Sequence, residues 1–246
     1  MTRSRLFQFR LAATTSLLLL VFAMVRLLWY PGAYFSLSGV SKLLLILVLI
    51  NFVVGPGLSA LVYKPGKKGL VTDLYLLAVV ELIALSLAVS VIHARRPYYT
   101  VFAVDRFEAV SRPEVETAQI GFAELDSRPG HEPRLVYAEL PKDRKLLEIL
   151  MDETVFEGKK DIDRRPEFWK PYAAGISVLK AAAPPLENLL NGDKGRAKKV
   201  RRWLSQQAGN ATDYVYLPLR GKAGDVTVIL HADIAYPVDI IAVDPW

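Results

Sequence analysis

Two polar side chains sit inside long apolar runs, where their chemistry stands out. Asn51 lies in the uncharged run 43–63, and Glu81 is the only charge in the run 74–92. Glu81 follows Asp73 by eight residues, which is ~12 Å along a helix at ~1.5 Å per residue. If these runs cross a membrane, an ionised carboxylate at that depth costs on the order of 3 kcal/mol. Glu81 is therefore expected to be neutral or to face protein. Three uses follow from that constraint. An internal Glu81–Asn51 hydrogen bond would lock the two helices together. A polar notch made by Asn51 and Glu81 would receive a partner's membrane helix. A proton pathway would need a second acidic residue, and the apolar runs supply none. Asn51 and Glu81 are thus the candidate partner-binding residues.

The remaining chemistry is sparse. Asp161 and Asp163 have the spacing of a divalent-metal pair, but Lys159, Lys160, Arg164 and Arg165 crowd them, which favours a solvated loop. His131 and His231 are isolated in sequence, and the chain has no cysteine, so thiol catalysis, disulfides and Cys-ligated metals are excluded. The Gly-rich phosphate loop, the dinucleotide fingerprint, the nucleophile elbow and the His-Glu-x-x-His helix are all missing from the sequence. No catalytic, cofactor-binding or metal residue is assigned, and a non-enzymatic protein without cofactor is expected. The basic run Lys194, Arg196, Lys198, Lys199, Arg201 and Arg202 has its apolar residues at helical spacing. It reads as a solvated helix face, with lipid headgroups or an acidic partner as the alternative.

The elements that carry Asn51 and Glu81 come from the charge and hydropathy pattern. The chain has 246 residues, 52% of them apolar, and a net charge of +6. Its mean hydropathy is +0.24. Residues 1–97 hold ten positives and two acids, a net +8, whereas 98–246 hold 21 positives and 23 acids. The excess positive charge flanks apolar runs, the pattern of a membrane protein and not of a nucleic-acid binder. Runs 11–28, 43–63 and 74–92 each approach the ~20 residues needed to cross a ~30 Å hydrocarbon core. Three transmembrane helices are therefore expected within 1–97. The first run could be a cleaved signal peptide ending near Val21-Phe22-Ala23, but apolar sequence continues through Leu28. Trp29, Tyr30, Tyr34 and Phe35, with Tyr98 and Tyr99, are expected at one membrane interface.

Six Lys/Arg in the N-terminus and the 64–72 loop outnumber four on the other side. The positive-inside rule puts the N-terminus in the cytoplasm, and three crossings then leave the C-terminal domain outside, in the periplasm of a Gram-negative cell. Pro65-Gly66 marks a tight turn between the second and third spans. Pro56 should kink the second, and Gly55 and Ser59 form a small-xxx-small pair suited to close helix packing.

Residues 98–246 read as one soluble α+β domain with a mostly antiparallel sheet. Strands are expected over 98–110, 134–140, 214–219, 225–231 and 238–243. Helices are expected over 143–156, 166–179, from Pro184-Pro185 through Leu190, and over 193–207.

Several motifs add to this layout. They are Trp29-Tyr30-Pro31, Gly55-Pro56, Lys64-Pro65-Gly66-Lys67-Lys68-Gly69-Leu70 before Asp73-Leu74, and Arg96-Pro97 before Val101-Phe102-Ala103-Val104-Asp105-Arg106-Phe107. Leu217-Pro218-Leu219 and Pro245-Trp246 follow near the end. With them the chain resembles the TfpX/TfpZ family of type IV pilin accessory proteins, most closely over residues 29–107. The resemblance implies a bacterial inner-membrane protein with the major type IV pilin as partner, acting on pilin stability or pilus assembly in a chaperone-like way. It carries no catalytic residues. A pilin waits in the bilayer on an apolar helix that usually bears a glutamate, and Asn51 and Glu81 could receive such a group. The competing expectations are a membrane protein whose periplasmic domain senses a ligand, and a pilin-modifying enzyme, such as a glycosyltransferase, built on Asp161 and Asp163.

Overall fold

The computed structural model describes residues 3–64, 66–127 and 130–246. Pro65, the centre of the expected turn, lies outside the described residues. The helices in chain order begin with α1 (Arg3–Met24), continued by π-helical turns over Val25–Trp29, and the short α2 (Tyr34–Leu37). Next come α3 (Val40–Phe52), which passes through π-helical turns Val53–Leu58 into α4 (Ser59–Val62), and α5 (Leu70–Ala94). Then come α6 (Arg144–Val155), α7 (Ile176–Ala182), α8 (Glu187–Leu190) and α9 (Lys194–Leu204). The strands are β1 (Pro97–Ala103), β2 (Arg106–Ser111), β3 (Arg134–Ala138), β4 (Trp169–Pro171), β5 (Tyr214–Arg220), β6 (Asp225–His231) and β7 (Pro237–Ile241). The chain forms two compact units, residues 1–30 with 39–95 and residues 31–38 with 96–246.

In the first unit, the helices Ser4–Trp29, Val40–Val62 and Leu70–Ala94 are each long and apolar enough to cross a membrane. Pro56 has no N–H and cannot close the bond to Phe52; the wider π turns over 53–58 absorb that gap within one continuous helix. Gly39 and Gly69 start their helices at φ +69° and +84°, a conformation a Cβ would strain. Asp73 lies in the first turn of α5, where the helix dipole favours a carboxylate, and pairs with Lys67 at 2.5 Å. At the opposite ends of the helices, Tyr30 donates to the Ile92 carbonyl at 2.8 Å, and the Trp29 ring meets His93 edge-on.

The second unit is built on a seven-stranded sheet in the order β4-β3-β1-β2-β5-β6-β7. The β1–β2, β3–β4, β5–β6 and β6–β7 pairs are antiparallel, whereas β1–β3 and β2–β5 are parallel. The sheet is therefore mixed, with antiparallel pairs in the majority. The single strand expected over 98–110 is a hairpin: the chain reverses at Val104, which adopts φ +61°, and Asp105 N–H bonds back to the Ala103 carbonyl at 2.8 Å. The helix expected over 166–179 forms only from Ile176. Trp169–Pro171 instead pairs with β3 at the sheet edge, where a proline's missing donor is tolerated.

Alternation along the strands separates two apolar faces. On one face Phe102, Phe107, Leu217 and Leu230 pack with Tyr172 and Leu179. On the other, Tyr99, Val101 and Val136 pack beneath Leu150 of α6, while Tyr216 and Ile229 pack with Val200 and Trp203 of α9.

The first face also contains Tyr34 and Leu37. The Tyr34 hydroxyl is 2.6 Å from Thr100 Oγ1, and Ala223 N–H donates to the Leu37 carbonyl at 2.9 Å. Gly221 has no room for a side chain, because a Cβ there would overlap Leu37 Cγ and lie 2.6 Å from the Leu37 carbonyl oxygen. Residues 31–38 thus serve as core of the second unit, although a division at residue 97 assigns them to the first. Tyr34, Tyr98 and Tyr99, expected at a membrane interface, are buried in this unit.

Candidate functional site

The first unit encloses a polar cluster built from all three of its long helices. Glu81 on α5 is buried. Its Oε1 accepts from Thr14 Oγ1 at 2.9 Å, and its Oε2 accepts from Arg10 Nη2 at 3.0 Å. Arg10 Nε also donates to Ser59 Oγ at 3.1 Å, and Ser59 is fully buried. α1 therefore contributes the guanidinium and a hydroxyl, α4 a second hydroxyl, and α5 the carboxylate.

Gly55 explains how these groups fit. A Cβ at Gly55 would overlap Glu81 Oε1 and sit 2.7 Å from Thr14 Oγ1. The space a side chain would fill is occupied by the carboxylate and its partner. The Gly55/Ser59 spacing thus does more than bring helix backbones together: Gly55 makes room for the cluster, and Ser59 joins it.

Asn51 is buried too, but its Nδ2 donates to the Leu47 carbonyl of its own helix at 2.8 Å. Among the described residues no hydrogen bond joins Asn51 to Glu81. The lock that the sequence suggests between the second and third helices is replaced by an ion pair between the first and third. Arg10 was hidden because it reads as a flanking charge at the start of the apolar run 11–28. α1 starts at Arg3, so Arg10 is already two helical turns inside it. The readable signal was an arginine and a glutamate at comparable distances from helix ends that share one side of the bundle.

The second unit has its own buried charges. Asp163 is buried and pairs with Arg164, and burial raises its carboxyl above the usual aspartate range. Asp161 accepts from the Ile162 N–H at 2.7 Å as a cap. The two aspartates are engaged separately, and Asp163 is not the solvated loop residue its neighbours suggested. Glu108 is pushed up to about 7, first by burial and then by the Asp163 carboxylate. These outweigh Arg164, Arg220 and Arg106, the last two with Nε atoms 3.8 and 3.7 Å from its Oε1. His231 ends β6 and accepts from Asp233 N–H through Nδ1 at 3.3 Å. Among the described residues no group of three or more His, Cys, Asp or Glu is placed to hold a metal ion. A cavity of about 300 Å³ opens on the first sheet face, lined by Tyr34, Thr100, Phe107, Leu135, Val228 and Tyr236 among others.

Among the described residues the chain forms a three-helix apolar unit with an internal Arg10–Glu81 ion pair and a mixed-sheet unit. Comparison with known proteins adds to this. The chain is 26% identical over 220 residues to the fimbrial assembly protein, serogroup I, of Dichelobacter nodosus, covering 86% of this chain and 82% of that protein. It is 24% identical over 203 residues to the fimbrial assembly protein, serogroup E1, of the same organism, covering 80% and 77%. No protein-family model matches the chain, and no solved structure matches it. The similarity to two fimbrial assembly proteins along most of the chain supports a pilus assembly family.

Proposed function

We propose that this protein is a non-enzymatic, membrane-embedded accessory factor that helps a type IV pilin remain stable or enter the growing pilus. The observation that carries the reading is similarity to fimbrial assembly proteins across both structural units. The narrower placement in the TfpX/TfpZ family rests on the residue motifs, above all the lysine-rich 64–70 loop and the strand ending Val-Asp-Arg-Phe. In this reading the three apolar helices cross a bacterial inner membrane with the N-terminus cytoplasmic and residues 96–246 periplasmic.

The polar cluster gives the membrane part something to offer a partner. A pilin held in the bilayer by an apolar helix can be recognised there only by packing and by the rare polar groups at membrane depth. Asn51 and Glu81, with Arg10, are those groups. The pilin helix docks beside them while the second unit engages the pilin head.

Pilin fractionation in a deletion strain tests the function. Surface pili sheared from the cells should fall while pilin persists in the membrane. Unchanged amounts in both fractions would refute the reading. Replacing Asn51 and Glu81 together by leucine tests the docking role, which fails if pilin association and assembly are unaffected.

The cavity on the first sheet face favours a second reading, a ligand-sensing domain. Filling it with Leu135→Trp should abolish ligand-dependent stabilisation without reducing pilus assembly if sensing is the true role.

A further inference from the structure

α6 carries two apolar stripes, of which the sheet unit buries only one. Leu147 and Leu150 share the inner side of the helix and pack into the core of the unit, and the Thr154 hydroxyl folds back onto the Leu150 carbonyl. A second stripe, Lys145, Leu146, Ile149, Asp152 and Phe156, recurs at the three- and four-residue spacing of a helix face. All five residues are exposed, Leu146 by 55%, Ile149 by 52% and Phe156 by 82%. Phe156 N–H still bonds the Asp152 carbonyl, so this residue continues the helical path. Neighbouring apolar side chains left in the open on one helix face mark an interaction surface.

The charges on this face point to what covers it. Beyond the capping Asp143, the start of α6 holds Arg144 and Lys145 and its last turn holds Asp152 and Glu153. Each sign stands at the end where the helix dipole disfavours it. Arg144 pairs with Glu148, and Glu153 with Lys159 and Arg165. Among the described residues Lys142, Lys145 and Asp152 have no ion pair. The stripe is thus basic at one end, apolar in the middle and acidic at the other, so it is its own complement when turned end over end. The basic end also borders a cleft of about 240 Å³ lined by Leu140, Pro141, Lys142, Leu146 and Phe168 among others.

We propose that a second copy of this chain covers the stripe, its α6 lying antiparallel to the first about a two-fold axis at Ile149. Such a contact uses the same patch on both copies. Lys145 and Asp152 lie four residues before and three after Ile149. The turned copy therefore brings its Asp152 level with Lys145 to within about 1.5 Å along the helix. The same turn, centred on Ile149, carries Phe156 of each copy to the level of Lys142 and the cleft of the other. Unlike charges meet at both ends, and the two helix dipoles oppose. The inference stands whether or not the apolar helices cross a membrane. An interface centred on a twelve-residue helix is at the small end of specific contacts, and association in the micromolar range is expected.

Sedimentation of the full chain in detergent should show a dimer that dissociates on dilution. By symmetry K145D, like D152K, places two like-charged pairs across the interface and should weaken the dimer by roughly tenfold or more. The swap K145D/D152K should restore it. F156A should weaken it by roughly tenfold through the emptied cleft. V155S, on the other flank of α6, should leave it unchanged. The chain has no cysteine, so introduced thiols report without background. A short thiol cross-linker should join I149C to itself and K145C to D152C, but not K145C to K145C. A dimer indifferent to Lys145, Asp152 and Phe156 would overturn the proposal, because the copies would then meet elsewhere. So would self-linking of K145C, which means parallel helices. A wild-type chain still monomeric at about 100 µM overturns it as well. In that case a dye at I149C that responds to nitroxide-bearing lipid, or to purified type IV pilin, would assign the stripe to that occupant instead.

Discussion

Arg10 and Glu81 meet in an apolar bundle as one cation and one anion, with two hydroxyls completing their bonds. Glu108 and Asp163 are buried near each other in the sheet unit, with Arg106, Arg164 and Arg220 around them. On the proposed membrane placement the difference is one of solvent. A bundle surrounded by hydrocarbon would have no water to dilute a residual charge, so its ionisable groups would have to match one for one. A unit in water, as proposed for the sheet unit, can hold crowded carboxylates, because one of them can keep a proton. The first arrangement fixes a geometry; the second makes stability depend on pH.

The largest effect should come from breaking the match in the bundle. Arg10→Leu leaves Glu81 buried without its cation and should destabilise the first unit by about 3–5 kcal/mol. The double variant R10L/E81L removes both charges and should recover most of that loss. Thermal unfolding of the detergent-purified chain would show the order wild type, then the double variant close to it, then the single variant far below. If the single and double variants unfold together, the ion pair is not what organises the bundle.

The sheet unit depends on a different long-range contribution. Leu37 is almost completely buried against strands that follow it by more than sixty residues. Leu37→Ala should cost about 2–5 kcal/mol by leaving a cavity. A fragment spanning only 96–246 lacks both Tyr34 and Leu37 and should expose apolar surface. Stability in denaturant and binding of a hydrophobic dye would register it. A fragment as stable as the corresponding part of the whole chain would show that residues 31–38 merely rest on the unit.

A glycine pair sharpens the account of the bundle on a smaller scale. Gly55→Ala forces the new methyl against Glu81 and Thr14 and should cost about 1–3 kcal/mol, the usual penalty for overpacking. At Gly57 a Cβ would lie 3.4 Å from the Phe52 carbonyl and meet nothing closer, so Gly57→Ala should be nearly silent by the same melting measurement. Equal losses at both sites would point to the helix backbone and away from the cluster.

Sequence periodicity located the three apolar helices, the two amphipathic helices α6 and α9, and the strands β5 and β6, because each pattern is local. It also singled out Glu81, since one charge in an apolar run is visible without a partner. The partner was not visible: Arg10 lies 71 residues away and looks like a flanking charge. Residues 31–38 were misread for a related reason. Aromatic residues beside apolar helices suit a membrane interface and a protein core equally, and only the sheet's need for Tyr34 and Leu37 decides between them. The strand at Trp169–Pro171 went unseen because its pairing with β3 overrides a composition that suits a helix.

The smallest expected effect concerns Glu108. Its carboxyl rises from an ordinary 4.5 to about 7 in the folded unit, through burial and the nearby Asp163. A folded pKa above the unfolded one means that the folded state holds the proton longer. The contribution is therefore fully present below about 4.5 and is lost as pH rises through about 7. Glu108→Gln keeps the shape and removes the titration, so its unfolding midpoint should vary less than that of the wild type across this window. The two proteins should converge at the acidic end and separate toward neutrality, with the variant more stable there. Arg10 and Glu81 are common to both, so the comparison isolates the sheet unit. Parallel pH profiles would mean that Arg106 and Arg220 hold Glu108 ionised after all, and that the sheet unit, like the bundle, balances its buried charge with opposite charge alone.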